Sequence, residues 1–159
     1  MTTTAVRTPR ATQHRDGAVM SERFEVVPRC GDDPPRVKDA SRVGIMRRIA
    51  AARLRHRGLD ALLDDVMLIL SELLTNALLH SGTREISLSI AVRDGFLYLT
   101  VTDGMPGSAT RKYVNDKAES GRGLALVEAL VKENGGDWGT SDGGAQTWCS
   151  LAVPAEERP

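Results

Sequence analysis

The feature that most constrains the fold is a pair of alternating segments, EISLSIAVR and FLYLTVTD, which flank the dipeptide Asp94-Gly95. In each segment apolar residues recur at every second position, which is the side-chain period of a β-strand. Asp-Gly between two such runs is typical of a two-residue hairpin turn, so the segments predict an antiparallel pair. One face of the pair is apolar and the other is polar, which indicates a sheet covered by helices on one side only.

Two amphipathic helices are predicted in front of this hairpin. Apolar residues recur at intervals of three and four from about Arg36 to Arg57, and again from about Leu59 to Leu79, as in helices with one buried face. Gly58 ends the first helix and Ser81-Gly82 ends the second, since glycine is common just past a helix terminus. A short strand is expected earlier, at Phe24 to Val27.

The second half of the chain predicts a loop, a third helix and two strands. The polar connection 104–120 has no clear period and is longer than most loops of compact domains. The segment GRGLALVEALVKENGG, from Gly121 onward, then predicts an apolar helix. Strands near Asp137 to Ser141 and Gln146 to Val153 flank the turn Asp142-Gly143-Gly144.

Length and composition set the domain organisation. A chain of 159 residues is long enough for one domain with a core and short for two. We expect a disordered tail at 1–20, one domain at 21–154 and a short tail at 155–159, with Met20 as an alternative start. The tail has arginines but no apolar stretch behind them, which argues against a secretory signal.

Charge, hydropathy and cysteine positions argue against a nucleic-acid-binding, a membrane-spanning or a zinc-binding protein. The 21 basic and 21 acidic residues balance, so the net charge does not point to nucleic acid. The absence of an apolar run of 18 or more residues in the sequence argues against a membrane span. Cys30 and Cys149 have no CxxC partner, which gives no zinc pattern and suits a reducing compartment, so we expect a cytoplasmic protein.

The second helix carries a row of polar residues in SELLTNALLHS, Ser71 to Ser81. Glu72, Asn76 and His80 follow at intervals of four, so in a helix they lie on one stripe, about 6 Å apart along the axis. Alone, such a row is often only the exposed edge of an apolar helix. Its meaning therefore depends on what else the chain carries.

Asp103 is the second unusual polar residue. By strict alternation it shares the face of Leu99 and Val101, which turns toward the helices. A carboxylate there is costly unless something specific pairs with it, although aspartates also cap turns. Gly121 and Gly123 precede the third helix, where backbone N–H groups can approach an anion closely.

Taken in order, SELLTNALLHS, VTDGMPG and GRGLALV resemble the N, G1 and G2 boxes of the GHKL ATPases, the superfamily of gyrase, the heat-shock chaperone, histidine kinases and MutL. The resemblance covers about Phe24 to Val153. It implies the Bergerat ATP-binding fold, an α+β two-layer sandwich with a mixed, mostly antiparallel sheet and helices on one face. The E-x-x-T-N-A-x-x-H form of the first box is most similar to that of bacterial anti-sigma factor serine kinases.

The resemblance implies ATP and Mg²⁺ as cofactors and a role for each motif residue. Asn76 matches the residue that coordinates the phosphate-bridging Mg²⁺, and Glu72 matches the residue that orients or deprotonates the attacking hydroxyl. Asp103 matches the aspartate that accepts a hydrogen bond from the adenine amino group. His80 matches the end of the box, where it shapes the phosphate end or simply meets the helix dipole. The other candidate nucleotide-binding residues are Gly107, Gly121, Arg122, Gly123, Leu124 and Thr147.

Two positions depart from the family pattern. Met105 stands where the G1 box usually has its first glycine, while Gly107 is kept. Either Gln146 or Thr147 can align with the threonine of the family's last strand. The alternation favours Thr147, because it is in phase with Cys149 and Leu151.

Two functions follow from the resemblance. In the first, the chain is a serine/threonine kinase that phosphorylates an anti-sigma factor antagonist and controls a sigma factor, as a homodimer without direct contact with nucleic acid or membrane. In the second, it is a nucleotide-dependent binding module with little or no phosphotransfer. Glu72 favours the first, because a binding module needs no base. The arginines of the first helix are either a solvated face or a surface for an acidic protein partner.

Overall fold

The computed structural model describes residues 16–28, 34–80, 82–103 and 122–154. Two turns of 3₁₀ helix, Asp60–Leu62 and Asp142–Gly144, accompany the regular elements. Within these ranges no helix is both long and apolar enough to cross a bilayer. The strands and α-helices of the described residues are β1 (Gly17–Glu25), α1 (Val37–His56), α2 (Leu63–His80), β2 (Glu85–Arg93), β3 (Phe96–Thr102), α3 (Arg122–Glu133), β4 (Trp138–Ser141) and β5 (Gln146–Ala152).

The strands form one sheet in the order β1-β2-β3-β5-β4. The helices pack on its apolar face: α1 on β1, α2 on β2 and β3, and α3 on β4 and β5. The α+β class with helices on one side is therefore confirmed. All four pairings between the described strands are antiparallel, so the parallel pairing of a mixed sheet does not occur among them.

The central hairpin has the predicted bounds and turn. Asp94 and Gly95 have φ values of 51° and 84°, the positive values that a type I′ turn requires at both central positions. The turn sets the register in which Leu88 faces Val101 and Ile90 faces Leu99. All four of these residues are buried, because the register brings the apolar side chains of both strands to the same face.

The first strand differs from the prediction. It spans Gly17–Glu25 rather than Phe24 to Val27, and it pairs with β2 along its length. Val19 and Met20 are both buried, since a register shift between Ala18 and Met20 interrupts the alternation. That irregularity and the polar SER segment after it hid the strand from a search for a period of two. Residues 17–20, assigned above to the tail, thus lie in the sheet.

Two arginines, one in α1 and one just past its end, hold this irregular part of the edge strand. The Nη1 atom of Arg53 donates to the carbonyl oxygen of Val19 at 3.2 Å, and Nη1 of Arg57 donates to that of Ala18 at 3.1 Å. Arg53 also lies 3.8 Å from a carboxylate oxygen of Glu22. Backbone oxygens on an edge strand are open to pairing with another strand. These contacts occupy two of them and tie the strand to the helix.

A buried carboxylate joins the end of β1 to the start of α1. Asp39 is fully buried, and its Oδ2 atom accepts a hydrogen bond from the amide of Val27 at 3.0 Å. Arg36 donates to both carboxylate oxygens, at 3.0 and 3.3 Å. The hydrogen bond from Arg36 and, to a smaller extent, that from Val27 keep the pKa of Asp39 below its usual value, against the opposing effect of burial.

We predict that Asp39→Asn destabilises the fold at neutral pH by about 1–3 kcal/mol, because an amide loses the charge-assisted bonds to Arg36 and Val27. A lowered pKa in the folded state stabilises the protein above the unfolded pKa of about 4, and this contribution is lost as the pH falls through the folded value. Urea unfolding at neutral pH and at pH near 3 measures both effects. The difference in unfolding free energy between wild type and variant should become smaller at pH near 3 than at neutral pH.

Asp137→Asn is the matched control. The pKa of Asp137 is also lowered, first by the amide of Trp138 and then by Lys132, but its side chain is mostly exposed. We expect a much smaller change in unfolding free energy, since exposed ion pairs contribute little. Equal losses in both variants would mean that Asp39 is not a buried tie between β1 and α1.

The end of α3 is held against β5 by a close approach of two backbones. Gly136 donates its amide to the carbonyl of Val131 at 2.8 Å, closing the helix. A Cβ atom at Gly136 would overlap the carbonyl oxygen of Ser150. Only glycine therefore lets the chain leave α3 this close to the sheet.

We predict that Gly136→Ala lowers the unfolding free energy by about 1–3 kcal/mol or more, as expected when an atom is forced into a packed site. Gly44 is the control, because it lies inside α1 and an added Cβ would have its nearest contact at 3.7 Å, with Arg48. Gly44→Ala should stabilise the protein by about 0.5–1 kcal/mol through the higher helix propensity of alanine. Thermal unfolding of the two variants should show shifts of opposite sign.

Candidate functional site

Helix α2 carries the predicted polar row at the border of its buried face. Glu72 and Asn76 are half-buried and next to the buried Leu73 and Ala77. One helical turn separates them, about 6 Å along the axis. Neither side chain has a hydrogen bond or ion pair within the described ranges. His80 ends the helix, but its side chain lies outside the described part of the structure.

The end of α2 and the end of β3 lie on the same side of the molecule. Residues 81–84 connect α2 to β2, which starts at Glu85. Four residues span at most about 14 Å, so the last turn of α2 lies near the start of β2. Ser87 of β2 pairs with Thr102 of β3. Asp103, the next residue, therefore lies at the sheet end toward which α2 points.

Asp103 follows the inward alternation of β3. It is only 9% exposed and continues the buried set of Leu97, Leu99 and Val101. Its amide donates to the carbonyl of Ala145 at 2.9 Å, which ties the strand end to the start of β5. Alternation in the sequence predicted that this carboxylate faces the helices, and its low exposure agrees with that direction. Its role as a hydrogen-bond acceptor for adenine stays a prediction.

Thr147 lies on the same face as Asp103. The register of β3 and β5 pairs Val101 with Thr147 and Thr102 with Gln146. Because directly opposite residues share a face, Thr147 belongs to the helix side with Val101 and Asp103. Gln146 belongs to the open side, where its Oε1 accepts a hydrogen bond from Ser141 at 2.8 Å. Of the two aligned candidates, the register thus places Thr147 beside Asp103.

Helix α3 begins beside the polar row of α2. Near its C-terminal end, Nδ2 of Asn134 donates to Oδ2 of Asp65, in the first turn of α2, at 2.8 Å. Since the end of α3 meets the start of α2, the two packed helices run in opposite directions. Leu124 precedes Asn134 by about 15 Å of helix, and Asn76 follows Asp65 by about 17 Å. The start of α3 is therefore level with Asn76.

The start of α3 can contribute to binding of an anion through its backbone. The first amides of a helix have no intrahelical acceptor, and the helix dipole favours negative charge there. Leu124 is buried in the first turn, which anchors that end in the core. The helix begins at Arg122; its side chain and the surroundings of Gly123 are outside the described part, as are Gly107 and Gly121.

A cavity that the motifs did not predict adjoins Asp103. Its volume is about 390 Å³, and it lies between the α2–β2 connection and the end of β3. Thr83 is buried in its wall, where its hydroxyl donates to the carbonyl of Glu85 at 2.8 Å and accepts from the Glu85 amide at 3.1 Å. Among the α2 side chains that the structure describes, none lines the cavity. Thr83 carries no periodic or motif signal, so only tertiary structure brings it next to Asp103.

Other chemistries find less support in the described residues. Within them, no group of three or more His, Cys, Asp or Glu side chains could hold a metal ion by itself. Mg²⁺ needs few protein ligands, because it keeps waters and takes phosphate oxygens, so Asn76 fits the chemistry of a nucleotide-bound ion. Burial raises the pKa of the Cys149 thiol to about 12, which leaves it without nucleophilic thiolate at neutral pH. Cys30 lies outside the described ranges.

Comparisons with known proteins give a family match and similar solved structures. Residues 37–151 match the family described as the histidine kinase-like ATPase domain. The histidine kinase domain of the blue-light activated histidine kinase EL346 from Erythrobacter litoralis is similar in structure, with 22% identity and a TM-score of 0.46 over 73% of this chain and 62% of that chain. The Acinetobacter baumannii histidine kinase AdeS is similar over 95% of this chain and 76% of that chain, with 18% identity and a TM-score of 0.47.

The chain thus spans less than two thirds of the first of these structures. No curated protein matches it.

Proposed function

The chain belongs to the family of histidine kinase-like ATPase domains, and from that premise we propose that it is an ATP-dependent serine/threonine kinase of the anti-sigma factor type. One observation carries most of the weight. Asn76, Asp103, Thr147 and the start of α3 belong to four separate parts of the chain, and the strand register and helix direction bring all four toward one end of the molecule. A nucleotide with Mg²⁺ needs a base-recognising end and a phosphate end, and this arrangement can supply both.

The base-recognising end is assigned to Asp103 and Thr147. Asp103 is nearly buried at the end of β3, where a carboxylate can accept a hydrogen bond from an exocyclic amino group of a purine. Adenine has that group at position 6, whereas guanine has a carbonyl oxygen there. A buried acceptor facing another acceptor is costly, so the carboxylate favours adenine over guanine.

The phosphate end is assigned to Asn76 and the start of α3. The Asn76 amide oxygen is a hard ligand suited to Mg²⁺. The residue is half-buried and level with the first turn of α3 along the helix axis. Bound Mg-ATP would supply the phosphoryl group that is transferred. The chain's own contribution here is to hold the phosphates through Asn76 and backbone amides, so that the group faces the acceptor hydroxyl.

Glu72 is the residue that favours a kinase over a module that only binds. It lies one helical turn before Asn76 on the same stripe of α2 and has no ion-pair partner among the described residues. A carboxylate at that place can orient the attacking hydroxyl and accept its proton. Transfer to a serine or threonine would form a bond between the hydroxyl oxygen and the γ-phosphorus, release ADP and leave the proton on Glu72.

The biological role that we propose is control of a sigma factor through phosphorylation of an anti-sigma factor antagonist, by a cytoplasmic homodimer without direct contact with nucleic acid or membrane. Support for it comes from the similarity of the motif SELLTNALLHS to that of the anti-sigma factor serine kinases. The alternative is a nucleotide-dependent binding module. Met105 in the G1 segment favours the alternative, because it changes a loop position that is usually glycine.

We predict that Mg-ATP binds and raises the melting temperature. The unfolding free energy should rise by about 2.7 kcal/mol at a ligand concentration of 100 times Kd.

We also predict that Asp103→Asn weakens the binding of ATP and ADP alike, since the adenine contact is common to both. Calorimetric titration with ATP, ADP and GTP measures this. Asp94→Asn, in the turn at the other end of β3, is the control and should bind as wild type does. Equal affinity of wild type for GTP and ATP would disprove the role of Asp103.

A second prediction separates the kinase from the binding module. Glu72→Gln should keep ATP affinity near that of wild type and lose about 10²- to 10⁴-fold in transfer rate, the range typical of general acid–base residues. The assay follows γ-labelled phosphate from ATP to proteins captured from the native lysate. Glu133→Gln, an exposed residue at the far end of α3, is the control.

The possible outcomes have different meanings. Transfer by wild type that persists in Glu72→Gln would remove Glu72 from the mechanism but leave the kinase class. If neither protein transfers label while both bind ATP, the binding module is the correct function.

A further inference from the structure

The arginines of α1 fall into two groups. Four basic side chains of the α1 region are engaged toward β1 or the helix start: Arg36 with Asp39, Arg42 over the ring of Phe24 at 5.8 Å, Arg53 with Glu22 and Val19, and Arg57 with Ala18. These contacts stabilise the fold. They leave Arg47, Arg48 and Arg55 exposed, without an ion pair among the described residues.

Arg48 and Arg55 of the second group belong to a continuous stripe on the outer side of α1. Its six positions follow at intervals of three and four, and all six are exposed. That spacing keeps them on one side of a helix over about 26 Å, long enough for a partner helix of about 17 residues. The members of this α1 stripe are Lys38, Ser41, Ile45, Arg48, Ala52 and Arg55.

The chemistry of the α1 stripe is both basic and apolar. Three of the six residues are cations, and Ile45 is an exposed large apolar side chain with 40% of its surface accessible. Ala52 leaves a shallow place further along, where a larger side chain of a partner can pack. The one acidic residue of α1, Asp39, is fully buried and bound to Arg36. The helix thus provides no carboxylate that could neutralise the stripe.

The excess of basic residues on the α1 stripe is a local feature, because the total charge of the chain is balanced. The whole chain has 21 basic and 21 acidic residues, so its net charge gives no general attraction to polyanions. Met46 and Leu54 of α1 are buried in the core, whereas Val37 and Ile45 are its exposed large apolar residues. Two such side chains are too few for insertion into a lipid surface. A row with apolar positions between cations matches a helix that has carboxylates around an apolar seam.

We propose that the α1 stripe is a docking site for an acidic amphipathic helix of a protein partner. In this geometry Arg48 and Arg55 pair with carboxylates of the partner, and Ile45 packs against its apolar seam. The stripe faces away from the sheet, whereas α2 and α3 carry the candidate nucleotide site. Docking therefore requires no phosphotransfer, and the proposal is independent of the role assigned to Glu72.

The test uses a fluorescein-labelled synthetic helix of about 18 residues, matching the length of the stripe, with glutamates around an apolar seam. Fluorescence anisotropy should show binding to the full chain with a Kd of about 1–100 μM, as for weak charge-assisted docking. Arg48→Glu should weaken binding about tenfold, because a repulsive pair replaces an attractive one. Ile45→Ser should weaken it several-fold.

Arg23→Glu is the matched control. It makes the same charge change at an exposed arginine of β1, outside α1, and should leave peptide affinity unchanged. Melting temperatures establish that each variant is folded, and Arg55→Glu takes the place of Arg48→Glu if that variant is not. Duplex DNA and anionic lipid vesicles serve as alternative probes on wild type and Ile45→Ser.

The proposal is supported if the peptide binds and both stripe variants weaken it while Arg23→Glu does not. It is overturned if wild type fails to bind the peptide, if the arginine variant of the stripe binds normally, or if Arg23→Glu loses as much affinity. It is also overturned if Ile45→Ser has no effect on the peptide, or if DNA or vesicles bind as tightly as the peptide does. Such results would indicate a general polyanion surface.

Discussion

Burial of a single apolar sheet face is the constraint on which the rest of the structure depends. The hairpin of β2 and β3 has its large aliphatic side chains on one side and mostly serine, threonine and tyrosine on the other. Helices can remove only the apolar side from water, and all three α-helices of the described residues pack there. A polar residue at the end of a strand, in phase with the buried apolar residues, then also faces the helices. Asp103 lies at such a place, where a carboxylate is retained only if its partners compensate for desolvation.

The direction of the helices determines which residues become neighbours. The bond from Asn134 to Asp65 joins the end of α3 to the start of α2, and Gly136 allows the chain to turn closely against Ser150. Together they keep α3 antiparallel to α2, so the start of α3 lies at the same end of the molecule as Asn76. Residues more than forty positions apart in the sequence are thereby brought to one end of the fold. The other side of the molecule is different, because the outer surface of α1 takes no part in the core and remains accessible to a partner.

Much of the fold could be predicted because its signals are local. The bounds of β2 and α1, the Asp94-Gly95 turn and the last hairpin follow from periods of two or 3.6 and from the usual terminating residues. Helix α2 was predicted from about Leu59 but begins at Leu63, because a turn of 3₁₀ helix precedes it. The strand β1 could not be predicted in full, since its irregular register buries Val19 and Met20 together and its middle residues are polar. Alternation also indicated that Asp103 faces the helices. No pattern in the sequence indicated that Thr83 would line the same cavity as Asp103, because the two residues come together only in the folded chain.

By itself the sequence determined the helices and strands other than β1, the buried face of each, and the order of the motifs Glu72–Asn76, Asp103 and Gly121–Gly123, which resembles that of the GHKL ATPases. Alternation already favoured Thr147 over Gln146, and the pairing of β3 with β5 agrees with that choice. Only the tertiary structure decided which arginines of α1 stabilise β1 and which stay exposed. The physical reason is that periodicity records the burial of each residue within its own element. Pairing register and ion-pair partners depend on distances between elements far apart in the chain, which no local pattern contains.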